Sequence, residues 1–237
     1  MEAIDRMLAT MRSAFRALAR SGARWTDVDG VGALVTPSVP ERSVFNSVVY
    51  ERGADVARAY ERLASRYDGA WTVWVPDEDV TTAAFLEERG HTLDASPAAM
   101  VLDLASFEPP SALPRADTPA LEVAAEVNEA SYPWQDGTMR RGLLQGVSAD
   151  DFRLYATEGA SVLGIHDCGG DAGVFFVATR PDARGRGLAA GLLGRAVADA
   201  RERGCDISTL QATRMGEPVY ARVGYRTIMR LQMWEKR

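Results

Sequence analysis

The segment that most restricts the fold of this chain runs from Gly173 to Ala200. There an almost wholly apolar run stops at Arg180-Pro181, passes through Arg184-Gly185-Arg186-Gly187 and turns into a pattern of helical period. Gly173–Thr179 shows no polar alternation and is short, as expected of a central strand buried on both faces. Downstream, Leu188, Gly191, Leu192, Arg195, Ala196, Asp199 and Ala200 recur at i, i+3, i+4, with Gly204 as a stop, which predicts a helix over 187–203. Strand, glycine turn and helix in that order bring free backbone amides to a helix N-terminus, where the macrodipole adds about half a positive charge. Such a turn is a receptor for phosphate or pyrophosphate. Glycines at 185 and 187 let the backbone approach an anion with no Cβ between, and Arg184 and Arg186 add cations.

Two familiar phosphate-binding architectures fit poorly. Gly185-x-Gly187-x-x-Ala190 matches the dinucleotide fingerprint of a doubly wound sheet, but only 47 residues follow Ala190. The ribose-binding acid expected at the end of the next strand is also missing, since Asp206 sits at that strand's beginning. A phosphate loop of the Gly-Lys-Ser/Thr kind is excluded because that tripeptide is absent from the turn.

Around this unit the pattern is mixed α/β. Leu121, Ala124, Ala125 and Asn128 predict a helix over 121–132, and 152–157 and 161–166 read as strands joined by Glu158-Gly159-Ala160. A strand over 207–212, a short helix over 217–223 ended by Gly224, and a strand over 225–234 complete the half. Upstream, 107–119 holds four prolines, which cannot donate to a ladder and disfavour helix, so it reads as a linker between 1–106 and 120–237. Shifting the first half by 134 positions sets Gly53 on Gly187 and Gly90 on Gly224 at once. A helix over 55–66, a strand over 71–75 and a helix over 82–89 then fall on or near their counterparts in the second half. One unit occurring twice is one reading; two ordinary α/β segments in chance alignment is the other.

Composition narrows the function classes. With 46% hydrophobic and 25% charged residues the chain is of soluble globular type, and no apolar run approaches the ~20 residues of a membrane span. A net charge of −6 argues against a general nucleic-acid binder. Cys168, Cys205, His91 and His166 are too scattered for a disulfide framework or a structural zinc site, and no metal is expected. The first twenty residues mix charged and apolar side chains without the h-region of a signal peptide, so a surface helix of a cytoplasmic protein is expected there.

Arg184-x-x-Gly187-x-Ala189 is followed, in the proper order, by Tyr220-Ala-Arg-Val-Gly224-Tyr225. On these two motifs, and on the strand, loop, helix, strand sequence that carries them, the stretch from Val174 to Trp234 resembles the GNAT superfamily of acyltransferases. The resemblance implies an α/β (α+β) fold of two GNAT-like lobes, each a mixed, mostly antiparallel sheet flanked by helices. The first lobe (1–106) would be a degenerate copy and the second (120–237) the catalytic one. It implies acetyl-CoA as cosubstrate, its pantetheine arm wedged between strands 174–179 and 207–212. Val177, Ala178 and Thr179 would meet the pantetheine amides and acetyl carbonyl, and Arg184, Gly185, Arg186, Gly187, Leu188, Ala189 and Ala190 the pyrophosphate. Thr213 stands where many relatives have asparagine, so that contact departs from the pattern.

The activity so implied is direct acetyl transfer to an amine, of a small molecule or a peptide, with Tyr220 as the general acid that returns a proton to the thiolate. Glu126, Glu129, Tyr132 and Trp134, on or after the helix that borders the acceptor site, are the substrate-binding candidates. His166 reads as a turn histidine and Cys205 as packing. Under the 134-residue shift Glu51 falls on Gly185, Asp55 on Ala189 and Leu86 on Tyr220, so the first half is expected to bind no nucleotide. The alternative to an enzyme is a non-catalytic acyl-CoA-binding sensor. Neither nucleic acid nor membrane is an expected partner, and a homodimer stays open.

Overall fold

The computed structural model, described over residues 2–110 and 113–237, builds one eleven-stranded sheet from both halves of the chain. The first half contributes α1 (Ala3–Ala17), β1 (Arg24–Val28), β2 (Val31–Val35), β3 (Ser47–Tyr50), α2 (Val56–Ala64), β4 (Trp71–Pro76), α3 (Val80–Glu88), β5 (Thr92–Ala95) and β6 (Ala98–Asp103). The second contributes α4 (Leu121–Ser131), α5 (Thr138–Gly146), β7 (Arg153–Thr157), β8 (Ser161–Cys168), β9 (Asp171–Thr179), α6 (Leu188–Glu202), β10 (Ile207–Ala212), α7 (Glu217–Ala221) and β11 (Arg226–Lys236). The strands lie in the order β1-β2-β3-β4-β11-β6-β10-β9-β8-β7, with β5 also pairing with β11. Among the described residues only β3–β4 and β9–β10 pair in parallel; the other pairings are antiparallel.

Successive side chains of a strand point to opposite faces, and the cores follow that period. Val49, Trp74, Ala99 and Val162 enter one core with α1, α4 and α5. Their neighbours go to the other face: Val48, Val73 and Val75 pack with α2 and α3, and Met100 and Leu163 with α6. The first core therefore belongs to both halves.

The halves also exchange strands. β6, from the first half, lies between β10 and β11 of the second. β11 crosses the junction: Arg226–Arg230 pair with β6, and Leu231–Lys236 pair with β4. Division at 107–119 in sequence is thus not division in space. That segment is itself docked on α6, whose Gly191 and Gly194 leave room for Pro114 and Leu113, while Asp117 and Ala156 exchange two backbone hydrogen bonds.

The strand over 207–212 stands as expected, and the helices over 121–132 and 187–203 each differ from expectation by a residue at one or both ends. Helix α5 lay outside the expected elements. The first helix needs a correction, because Ile4, Met7, Leu8, Met11, Ala14 and Phe15 are buried and α1 packs on β3, β8 and β9. Arg6, Arg12 and Arg16 suggested a surface, but Arg6 and Arg12 reach from its edges to Asp206 and to Asp27 and Glu51. His166 is corrected likewise. It lies within β8, buried, with Nε2 2.8 Å from Ser13 Oγ and Nδ1 2.9 Å from Asp151 O, so it fastens α1 to the second half.

Candidate active site

β9 and β10 pair only over Asp171–Gly173 with Ile207–Thr209. Beyond that the strands separate, and Val174–Thr179 and Leu210–Ala212 face a wedge with no ladder across it. Asp171, fully buried, holds the base, accepting from Thr10 Oγ1 at 2.8 Å and Thr209 Oγ1 at 2.7 Å through Oδ2. Burial pushes its carboxyl up to about 6 against the opposing pull of those hydroxyls and of Arg6.

On its outer side β9 pairs with β8, and the register slips between Val162 and Gly164. Leu163 faces both Phe176 and Val177, the two-against-one count of a β-bulge. Phe176 adopts φ +56°, a conformation costly for an aromatic residue. Its carbonyl accepts from Asn128 Nδ2 at 3.2 Å, and Ser131 Oγ donates to Thr179 O at 3.1 Å, so α4 grips the bulged strand from one face. Of the three β9 residues singled out by sequence, Val177 lies in the bulge, while Ala178 and Thr179 remain in register with Val162 and Ser161. Asn128 and Phe176 were missed as a clamp and bulge; an uninterrupted apolar run carries no sign of the extra residue.

The turn after β9 is built as the glycines demand. Gly185 and Gly187 both have φ +77°, and a Cβ on either would meet nothing within 4 Å. Gly187 caps α6, and the first intrahelical bond runs from Gly191 N–H to Gly187 O, which leaves the amides of Leu188, Ala189 and Ala190 without helical acceptors. The turn thus presents free helix-start amides beside two arginines, the chemistry that an anion meets at a helix N-terminus. Arg184 donates to Ser131 O at 2.8 Å and so clips the turn to α4, and Arg186 pairs with Glu158 at 2.5 Å. Each guanidinium would have to share itself with, or turn to, a bound phosphate.

Across the wedge, Thr213 follows β10 and its Oγ1 accepts from Gly216 N–H at 3.2 Å, opening the turn into α7. Tyr220 on α7 is buried, and its phenol is pushed up to about 12 by burial and then by the neighbouring Tyr132. Tyr220 belongs to the core under α6, Tyr132 to the opposite face with α4. The two phenols therefore approach from opposite sides of the sheet.

The remaining candidates divide. Tyr132 stacks on Trp134, with centroids 5.1 Å apart, and its phenol is raised by burial. Glu126 is exposed. Glu129 is committed to α5, accepting from Gly137 N–H at 2.7 Å and Arg140 N–H at 2.9 Å, which makes it a helix cap and not a free base. Cys205 is buried, and burial pushes its thiol up to about 11.

The first half shows the same opening in altered chemistry. β3 and β4 pair in parallel only at Ser47–Val48 with Thr72–Val73, and Gly53 (φ +83°) precedes α2. A cleft of about 620 Å³ lies there, lined by Tyr50, Arg52, Asp55, Glu78, Asp79 and Phe85 among others. Both helix N-termini on it are already capped by carboxylates: Asp55 accepts from Arg58 N–H at 2.9 Å and Asp79 from Thr82 N–H at 3.0 Å. Arg52 is held by Glu2 and Glu78, Glu51 turns to Arg12, and Leu86 is fully buried.

The profile of the acetyltransferase (GNAT) domain family matches residues 171–228. In structure the chain is similar to a GCN5-related N-acetyltransferase from Kribbella flavida, at 20% identity and a TM-score of 0.69, over 97% of this chain and 95% of that one. It is also similar to a GCN5-related N-acetyltransferase from Sphaerobacter thermophilus (19%, 0.61, 99% and 91%). A tandem GNAT protein from the clavulanic acid biosynthesis pathway is similar at 18% identity and a TM-score of 0.54, over 92% and 80%. Comparison with curated proteins gives no match.

Proposed function

We propose that the chain is a GNAT acetyltransferase and that it passes an acetyl group directly from acetyl-CoA to an amine. The family match implies acyl transfer from an acyl-CoA. The observation that carries the finer reading is one arrangement: unbonded amides at the start of α6, a laddered sheet that opens beyond Gly173 and Thr209, and the buried phenol of Tyr220 on α7, just after β10.

The cosubstrate supplies an activated thioester. Amides of Leu188–Ala190, with Gly185 and Gly187, would hold its pyrophosphate, and the edges of β9 and β10 would receive the narrow arm. Backbone amides at the bulge, around Val177, would face the carbonyl where negative charge develops, and fixed donors in a dry site act there without reorganising. Tyr220, a neutral phenol throughout the neutral range, would give its proton to the sulfur as the C–S bond breaks and the C–N bond forms, and would regain one through solvent, which also takes the proton lost by the amine nitrogen. The acceptor would enter from the α4 side past Tyr132 and Trp134. The strand exchange and the likeness to a tandem GNAT protein support a first half that is a degenerate copy.

Glu129 serves as a cap and His166 as a lobe fastener, so neither side chain is free to take a proton from the amine, which favours the second reading, an acyl-CoA sensor without turnover. Thiol release from acetyl-CoA, followed against phenethylamine, spermidine, glucosamine and a short peptide, separates the two. Amine-dependent release supports the enzyme. Tight binding with no release to any of them supports the sensor.

A further inference from the structure

The loop between α4 and α5 carries Tyr132 and Trp134, and part of what holds it comes from the other half of the chain. From within, Glu129 caps α5, and Asp136 Oδ1 accepts from Thr138 N–H at 3.1 Å and from Thr138 Oγ1 at 2.6 Å. From the first half, Arg42 reaches across. Its Nε donates to Thr138 Oγ1 at 2.9 Å, its terminal nitrogen pairs with Asp136, and its guanidinium carbon sits 4.6 Å from the centroid of the Trp134 ring. Trp134 stacks in turn on Tyr132, with ring centroids 5.1 Å apart.

Arg42 is itself fixed. It opens the short 3-10 turn Ser43–Phe45, and its carbonyl accepts from Phe45 N–H at 3.1 Å and Asn46 Nδ2 at 3.1 Å. Asn46 is buried, donates also to Val39 O at 2.8 Å, and accepts from Thr36 N–H at 2.8 Å through Oδ1. The same segment grips α5 elsewhere. Arg141 donates to Ser38 O at 3.0 Å and Glu41 at 2.9 Å, and Gly142 has no room for a Cβ against Phe45. A rigid turn of one half thus ends in a planar cation laid on an indole of the other.

We propose that Arg42 is a positioning residue for the acceptor side of the wedge, acting through Trp134 on Tyr132. Resting on the acetyltransferase reading, this gives the first half a task that needs no cofactor of its own: it sets the wall against which the amine is presented. A guanidinium can stack on the indole and fork to Asp136 and Thr138 at once, which an ammonium cannot. Arg42→Lys should therefore restore part of what Arg42→Ala loses.

The test uses the full chain and three variants, Arg42→Ala, Arg42→Lys and Trp134→Phe. Amide exchange over 132–137 should accelerate in Arg42→Ala while exchange over 185–190 is unchanged, with Arg42→Lys in between. The Trp134 emission, taken as wild type minus Trp134→Phe, should shift to the red when Arg42 is removed. With the fastest amine of the four above, Arg42→Ala should raise the KM for that amine about tenfold, the joint scale of a cation–π contact and an ion pair, and leave the KM for acetyl-CoA alone. Unchanged exchange over 132–137, or a KM for acetyl-CoA that rises in step with that for the amine, overturns the proposal. If none of the four amines is acetylated by the wild type, the acetyltransferase reading fails on its own, and exchange and emission still decide whether Arg42 holds the loop.

Discussion

Thr10, on the first helix, and Asp171, at the base of the wedge, share a hydrogen bond of 2.8 Å between side chains that are both buried. Through it the first half touches the point from which β9 and β10 diverge. Among the described residues the other oxygen of Asp171, Oδ1, has no hydrogen-bond partner, nor has Nε of Arg6, so the carboxylate is taken from water without full repayment in hydrogen bonds.

That imbalance makes stability depend on pH. The carboxyl is raised to about 6 when folded, from an ordinary value of 3.8. The folded protein therefore holds the proton longer than the unfolded chain. The stabilisation is full below about pH 4 and is lost as pH rises through about 6. Asp171→Asn removes this titration. Its thermal midpoint should gain on the wild type as pH goes from 4 to 7.5, and a difference constant across that range would show that Asp171 does not titrate there.

The shared core predicts unfolding as one unit. Leu231 is fully buried among residues of both halves and opens the part of β11 that pairs with β4. Leu231→Ala should cost about 2–5 kcal/mol. Amide protection should fall together in β4 and β10. Loss confined to one half would mean that the halves unfold separately.

What could be read from sequence follows from which interactions are local. The wedge-forming strands and α6 were visible because an apolar run and a 3.6-residue period are local patterns, and Gly185 and Gly187 take the positive φ that their place in the turn demanded. Gly53 and Gly90, paired with Gly187 and Gly224 by the 134-residue shift, also have positive φ, as do most of the glycines in this chain. Strand exchange was invisible, since nothing in 98–103 or 231–236 says which edge each will pair with. The roles of Glu129 and His166 were hidden for a similar reason. Their partners, the N-terminus of α5 and Ser13, are set by tertiary packing.

Cofactor stoichiometry tests the asymmetry between the two openings. Asp55 and Asp79 already fill the helix N-termini at the cleft of the first half, where a pyrophosphate would meet two carboxylates instead of free amides. Calorimetric titration with CoA should give one site per chain. Two sites would mean that the first half keeps a nucleotide site of its own.

Gly187 offers the direct test of the second opening. At φ +77° any side chain is strained, yet a Cβ there meets no protein atom, so Gly187→Asp should fold with a modest loss of stability. Its carboxylate would stand at the amides proposed to hold the phosphate. Affinity for CoA should fall by roughly two orders of magnitude, the scale of an unfavourable charge in a binding site. Folded Gly187→Asp with undiminished CoA affinity would remove the α6 turn from the cofactor site.

Tyr220 carries the chemical step in this reading, and substitution by phenylalanine isolates its hydroxyl. The ring is buried in the core under α6 beside Tyr225, so Tyr220→Phe keeps the packing. Because burial raises the phenol to about 12, it stays protonated throughout the neutral range, and the rate should show no loss of the acid form up to at least pH 9. Removing the proton donor should lower turnover by about 10²-fold, the ordinary scale of general acid catalysis, with CoA affinity nearly intact. The deficit should shrink for an acyl donor whose thiol has a lower pKa, since that sulfur leaves with less help. Rates of wild type and Tyr220→Phe measured with two such donors decide the matter: a deficit of the same size for both would assign Tyr220 to packing against the cosubstrate and leave protonation of the sulfur to solvent.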